Sequence, residues 1–199
     1  MARKSLEFIF THIAASGTIA YVGSRFRGGA QVFLVGDKVV YPMHGAGVIE
    51  AIEQRTILGE VREYYVLRMP IGEMQVLVPV HSIREAGLRP IVGRDVADRV
   101  FALLCEDATM EQGNWNRRYR SNLEKLKSGD IFELAAVVRN MTRRDQGKGL
   151  STTEKKMLEN ARQLLVSELA LVEGVLPEMV IGKLMECMAP PPEETDGVS

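Results

Sequence analysis

The stretch VGDKVVYPMHGAGVIEAIEQRTILGEVREYYVLRM, residues 35–69, predicts a series of short strands. β-Branched and aromatic residues recur at alternate positions, and glycine-containing turns separate the runs. The run MQVLVPV follows, and Pro79 in it suggests a strand end. Strands are therefore expected over residues 35–42, 45–57, 62–69 and 74–80. Four or five strands joined by tight turns predict a small antiparallel barrel of the SH3 or Tudor type.

From about Gly93 onward the pattern changes to that of helices, with apolar residues three and four positions apart. Polar residues mark the expected helix starts, and Pro177 is placed to begin the last helix. The expected caps are Asn114, Asp130 with Glu133, and Ser151 with Glu154. The fold class is therefore predicted to be α+β, a Tudor/SH3-like barrel followed by a compact helical domain.

Three boundaries follow from this pattern. The barrel is expected over residues 32–90 and the helical domain over residues 93–189. Residues 190–199, PPPEETDGVS after Ala189, are expected to form a disordered tail because they are proline-rich and acidic. Residues 1–31 are expected to be a disordered extension, and one hypothesis is that they precede the true start codon.

The charge of the chain is segregated. Among 199 residues with a net charge of −1, residues 113–162 carry 12 Lys or Arg and 6 Asp or Glu, whereas the remainder carries 13 and 20. Such segregation fits a face that binds a polyanion, and it equally fits a solvated helix surface with ion pairs.

No enzymatic chemistry is evident in the sequence. The three histidines have no partner at metal-ligand spacing, and no nucleotide-binding or hydrolase motif is present. Cys105 and Cys187 lie far apart without CxxC spacing, so we interpret them as small core residues in a reducing cytoplasm rather than as a disulfide. The sequence predicts no enzymatic activity, no cofactor and no metal site.

The stretch NWNRRYRSNLEKL, residues 114–126, contains the only tryptophan, Trp115, beside three arginines. A tryptophan at a helix start usually packs into the core. Here the arginines would crowd an anion against the same helical turn. An indole in that setting can instead stack on an unpaired base.

Two blocks of sequence resemble a known family. FLVGDKVVYPMHGAGVIEAIEQRTILGEVREYYVLRMP resembles the N-terminal domain of the CarD/CdnL family of bacterial transcription regulators, and NWNRRYRSNLEKLKSGD with VVRNMTRRDQGKGLSTTEKKML resembles its C-terminal domain. The resemblance implies a Tudor-like barrel that binds the β subunit of RNA polymerase and a helical domain that contacts promoter DNA. It also implies a monomeric, cytoplasmic, nucleoid-associated protein of the short, general form, which stabilises the open promoter complex.

The resemblance also implies site residues. Trp115 matches the family's tryptophan at the upstream edge of the transcription bubble. The expected phosphate contacts follow from the positions of basic residues beside Trp115 and after the STTE cap, and they are Arg117, Arg118, Arg120, Lys155 and Lys156. The expected polymerase contacts are Arg55, Thr56 and Ile57, which suit pairing with a partner strand. Leu77 is included as well, although some members have a basic residue at its position, so an apolar contact would replace a polar one.

Two other functions remain open from the sequence. One is a free-standing nucleic-acid-binding protein in which the barrel is an OB- or SH3-like platform and polymerase is not a partner. The other is a non-catalytic scaffold, for which Trp115 would lie in the core.

Overall fold

The computed structural model describes residues 7–8, 25–27, 30–72, 74–109 and 114–189. Strands precede helices in the chain, as predicted. The strands are β1 (Glu7–Phe8), β2 (Arg25–Arg27), β3 (Ala30–Val32), β4 (Lys38–Tyr41), β5 (Gly45–Ile57), β6 (Glu60–Met69), β7 (Met74–Pro79) and β8 (Arg89–Pro90), with a 3-10 turn at Val80–Ser82. The helices are α1 (Arg94–Cys105), α2 (Trp115–Ser128), α3 (Ile131–Gly147), α4 (Thr152–Glu173) and α5 (Pro177–Cys187).

Five strands form one antiparallel sheet in the order β7-β6-β5-β4-β8. Leu58 and Gly59 join β5 to β6, and both have positive φ, at 54° and 83°. Positive φ at both central residues is the geometry of the tight turn whose twist matches that of a hairpin. A bulge between Ile49 and Ala51 bends β5. This Tudor-like sheet, followed by helices, confirms the predicted α+β class.

Side chains from four of these strands, and Phe33 before them, fill the core of the sheet. Tyr65 is almost fully buried, and its hydroxyl accepts a hydrogen bond from the Phe33 N–H at 3.3 Å. The other buried members include Val39, Ile49, Leu67 and Val78.

The helices begin where the sequence predicts. Ser151 and Glu154 form a complete capping box at the start of α4, and Pro177 begins α5. Asp130 accepts hydrogen bonds from two N–H groups of α3, but its own N–H donates to Ser128 Oγ at 3.1 Å. Glu133 therefore does not complete the capping box that the sequence suggested.

Cys105 and Cys187 form a disulfide, with Cα atoms 4.5 Å apart. The interpretation of these residues as separate core thiols is wrong. They lie at the last residues of α1 and α5, which pack together although 82 positions separate the two cysteines. Spacing along the sequence could not indicate a contact between two helix ends.

The two terminal segments are only partly described. Strands β1, β2 and β3, most of whose residues fall within the expected extension at 1–31, form a separate antiparallel sheet. The rest of that segment and the expected tail at 190–199 lie outside the described residues. Within the described parts, no helix is long and apolar enough to cross a membrane.

Candidate functional site

Trp115 is the first residue of α2, and its side chain is 41% exposed. Asn114 caps the helix, with its side-chain oxygen accepting the Arg117 N–H at 3.0 Å. The indole stacks on the ring of Tyr119, one helical turn later, with centroids 5.4 Å apart and planes 19° apart. Tyr119 in turn packs against the helical core. The tryptophan is thus supported from beneath while a large part of its surface faces solvent.

Arg117 and Arg120 lie on the exposed side of α2 beside Trp115. Their guanidinium groups form no ion pair or hydrogen bond with other residues in the described part of the chain. They line a shallow groove. The other residues of this groove supply neutral amide and hydroxyl groups and one carboxylate, and they are Asn114, Asn116, Ser121 and Glu124. Unpaired guanidinium groups beside an aromatic surface are suited to phosphate oxygens.

Arg118 is directed differently from its neighbours. Only 13% of its side chain is exposed, and its Nη2 lies 3.8 Å from Glu154 Oε1 at the start of α4. Positions 118, 122 and 126 share the inner side of α2, where Asn122 and Leu126 are buried. Arg118 therefore joins α2 to α4 instead of pointing to solvent with Arg117 and Arg120.

Lys155 and Lys156 are exposed near the start of α4, at its fourth and fifth residues. The contact between Arg118 and Glu154 brings this part of α4 next to α2. Backbone N–H groups at a helix start favour an anion, whereas lysine at that position opposes the helix dipole. The two lysines thus extend the positive surface that begins at Arg117.

Glu154 is an acidic residue in contact with this surface through Arg118. Burial raises the pKa of its carboxyl, but hydrogen bonds from Ser151 and the charges of Arg144 and Arg118 outweigh burial, so the pKa lies below its usual 4.5. At neutral pH the group is a carboxylate that partly neutralises its basic neighbours.

The second candidate surface is the distal half of β5. Strand β4 pairs with β5 only over residues 45–48, and no described strand pairs with that side of residues 51–57. Because the turn after Ile57 has two residues, Ile57 and Glu60 form a hydrogen-bonded pair. From there along β5, hydrogen-bonded and non-hydrogen-bonded pairs with β6 alternate. Thr56 and Gln54 then direct their N–H and C=O groups to the free edge.

The side chains of this free edge are exposed. The Arg55 guanidinium donates to Glu53 Oε2 at 2.7 and 2.9 Å, and both side chains are nearly half exposed. Ile57 is 43% exposed, and Leu58 at the tip is fully exposed. An apolar tip beside an unpaired strand edge is suited to addition of a partner strand.

Leu77 does not lie on this edge. It is in β7, opposite Val66 of β6, and β6 separates it from β5. Two strand spacings amount to about 10 Å. Arg55 also pairs with Arg62, four positions along β6 from Val66, which adds roughly 13 Å along the strand. The exposed side chain of Leu77 therefore lies on a different part of the barrel surface from Arg55, Thr56 and Ile57.

Two residues of the helical surface escaped the sequence reasoning. The stacking of Tyr119 on Trp115 was not predicted, although a spacing of four is the spacing at which aromatic rings meet on a helix. Glu154 was interpreted only as a helix cap. No sequence signal marks its contact with Arg118, which lies 36 positions earlier.

Comparison with known proteins bears on both surfaces. Residues 33–92 match the family described as the CarD-like/TRCF RID domain, and residues 99–185 match the CarD C-terminal domain. The chain belongs to the CarD family. The putative transcription factor YdeB of Bacillus subtilis (strain 168) is 39% identical over 149 residues, which are 75% of this chain and 97% of that protein. The resemblance seen in the sequence is thereby confirmed. The CarD family is one of transcription regulators, and its RID domain is a polymerase-interacting domain.

Proposed function

We propose that this protein binds the β subunit of RNA polymerase through the edge of β5 and stabilises the open promoter complex through Trp115. The observation that carries the proposal is the exposed indole at the start of α2, supported by Tyr119 and flanked by two unpaired arginines. CarD-family membership supplies the transcriptional context.

Trp115 acts as a wedge, meaning an aromatic side chain that occupies the space where two strands of DNA would re-pair. An exposed indole keeps apolar surface in water, which is unfavourable unless a ligand covers it. Stacking on an unpaired base contributes about 1–3 kcal/mol and does not depend on which base is present. At the upstream edge of the bubble this contact opposes closure of the melted DNA.

Arg117, Arg120, Lys155 and Lys156 bind phosphates on either side of the wedge. Phosphate contacts set the position of a protein on DNA without reading its sequence. Arg118 contributes by holding α2 against α4 through Glu154, and its positive charge adds to the same field. A regulator of this kind acts at many promoters.

The polymerase contact is a strand addition at Gln54–Ile57. Main-chain hydrogen bonds give affinity, and Arg55 and Ile57 give specificity through their side chains. Leu77 makes an apolar contact with a separate part of polymerase. The protein works as a non-catalytic monomer at the nucleoid, in the cytoplasm.

Two measurements test this function. A titration of the full chain against the isolated β lobe should show saturable binding. Adding the protein to open complexes on an unstable promoter, in the presence of a competitor that traps free polymerase, should lengthen their lifetime. DNA binding without β-lobe binding would favour a free-standing nucleic-acid-binding protein. An unchanged lifetime would contradict the wedge.

A further inference from the structure

The junction between the sheet and the helices contains a buried ion pair. Arg89 of β8 donates to both carboxylate oxygens of Glu168 in α4, at 2.7 and 2.8 Å. The Glu168 side chain is 1% exposed and that of Arg89 13% exposed. Glu168 also accepts the Val92 N–H at 3.1 Å. A buried pair of this kind tolerates little displacement, because a shift would leave a charge without its partner.

Arg89 also holds the end of α2. Its Nε donates to the Gly129 carbonyl at 2.8 Å. Gly129 ends α2 in the left-handed conformation, with φ of 70°. A single guanidinium therefore bonds to the end of α2, the helix that begins with Trp115, and to α4, the helix that carries Lys155 and Lys156 near its start.

A second contact ties the polymerase-facing strand itself to the helices. Ser167, next to Glu168 in α4, accepts the Ala46 N–H of β5 at 2.8 Å. Gly45 has no room for a Cβ, which would lie 2.8 Å from Ser167 Oγ. The strand that starts at this contact ends at Arg55, Thr56 and Ile57, so β5 connects the free edge to α4 directly.

We propose that Arg89 is a positioning residue that converts polymerase binding by the sheet into placement of Trp115 at the DNA. This inference rests on the proposed function. A protein with two linked binding surfaces binds more tightly than either surface alone only if both surfaces can contact their partners at the same time. Arg89 fixes that geometry through Glu168 and Gly129, without touching polymerase or DNA.

Arg89→Lys tests the proposal in the full chain. Lysine keeps the charge, but its single ammonium cannot reproduce a bidentate pair with Glu168 and a bond to Gly129 together. Arg94→Lys is the matched control, because Arg94 lies at the same junction and makes one exposed bond, to the Glu173 carbonyl at 3.2 Å. Each variant is measured for thermal stability, β-lobe affinity, affinity for a forked duplex and open-complex lifetime.

For Arg89→Lys, both affinities should stay within about two-fold of wild type, while the lifetime should fall at least about five-fold. Arg94→Lys should match wild type in all four measurements. A wild-type lifetime for Arg89→Lys would overturn the proposal, as would a parallel fall in all four measurements, which indicates a structural role alone. If wild type itself fails to lengthen the lifetime, the proposed function fails and this inference falls with it.

A second variant covers the case in which Arg89→Lys does not fold. Replacing Arg89 and Glu168 together by methionine removes both charges and fills similar volume, a change that buried pairs often tolerate. The double variant also lacks the bond to Gly129. It should bind both partners and lose the lifetime effect, and a wild-type lifetime or a joint loss of both affinities would again overturn the proposal.

Discussion

Glu154→Gln should lower the stability of the protein and at the same time raise its affinity for DNA. The Glu154 carboxylate accepts Ser151 N–H at 3.0 Å and Ser151 O–H at 2.7 Å, and it lies 3.8 Å from Arg118. Glutamine keeps the size of the side chain and can still accept from Ser151, but it carries no charge.

The magnitude follows from these contacts. A unit-charge pair at 3.8 Å attracts by about 4 kcal/mol at an effective dielectric constant of about 20, and the cost of removing both charges from water offsets most of this. A net loss of about 1–2 kcal/mol is expected, as for a hydrogen bond to a charged group. If the helical domain unfolds as its own unit, Tm should fall by roughly 5–10 °C.

The DNA affinity should rise because a negative charge leaves the phosphate-binding surface and Arg118 loses its competing partner. A gain of about 0.5–1 kcal/mol corresponds to roughly two- to five-fold tighter binding at low salt. The gain should shrink as salt rises, since salt screens these charges.

Thermal denaturation and fluorescence anisotropy on a short duplex measure the two effects. Glu159→Gln is the matched control, because it removes the same charge from an exposed position of the same helix. The control should leave Tm within about 2 °C and DNA affinity within about two-fold. An unchanged Tm for Glu154→Gln, or weaker DNA binding, would refute this account of Glu154.

Three further outcomes are expected. Arg55→Glu should weaken β-lobe binding at least about ten-fold in a calorimetric titration. Tm should change little because the ion pair with Glu53 is exposed. An affinity equal to that of wild type would contradict the assignment of the β5 edge as the polymerase-binding surface. Replacing Arg117 and Arg120 together by alanine should weaken binding to all DNA sequences and reduce the slope of log affinity against log salt by about 2, as measured by anisotropy; an unchanged slope would show that neither binds phosphate. Because the pKa of Glu154 is lowered in the folded state, its stabilising effect should be complete above pH 4.5 and disappear as pH falls further; a difference in Tm between wild type and Glu154→Gln that persists in strong acid would contradict this.

The sequence predicted local features of the fold because local chemistry determines them. The Leu58–Gly59 turn, the Asn114 cap and the box formed by Ser151 and Glu154 each depend on residues within a few positions of one another. The exposure of Trp115 was also predicted, from the three arginines beside it, although a tryptophan at a helix start usually packs into the core.

Contacts between distant elements could not be predicted in this way. Arg89 and Glu168 are 79 positions apart, and nothing in their neighbourhoods indicates the pairing. The Cys105–Cys187 contact depends on how α1 and α5 pack. The inward direction of Arg118 could have been predicted. Arg118 is eight positions before Leu126, so helical spacing places both on the inner side of α2, away from Arg117 and Arg120.

The lifetime of the open complex with Trp115→Ala tests the central claim most directly. Trp115→Phe serves as the control that keeps an aromatic ring at the same position. Because the indole is 41% exposed, the alanine variant should lose less than about 2 kcal/mol of stability, whereas a buried aromatic residue loses about 3–5 kcal/mol. Its affinity for the β lobe should be unchanged. The account predicts that Trp115→Ala shortens the lifetime by roughly five- to a hundred-fold, the equivalent of about 1–3 kcal/mol of stacking, and that Trp115→Phe retains part of the effect. A folded Trp115→Ala protein whose open complexes live as long as those of wild type would contradict it.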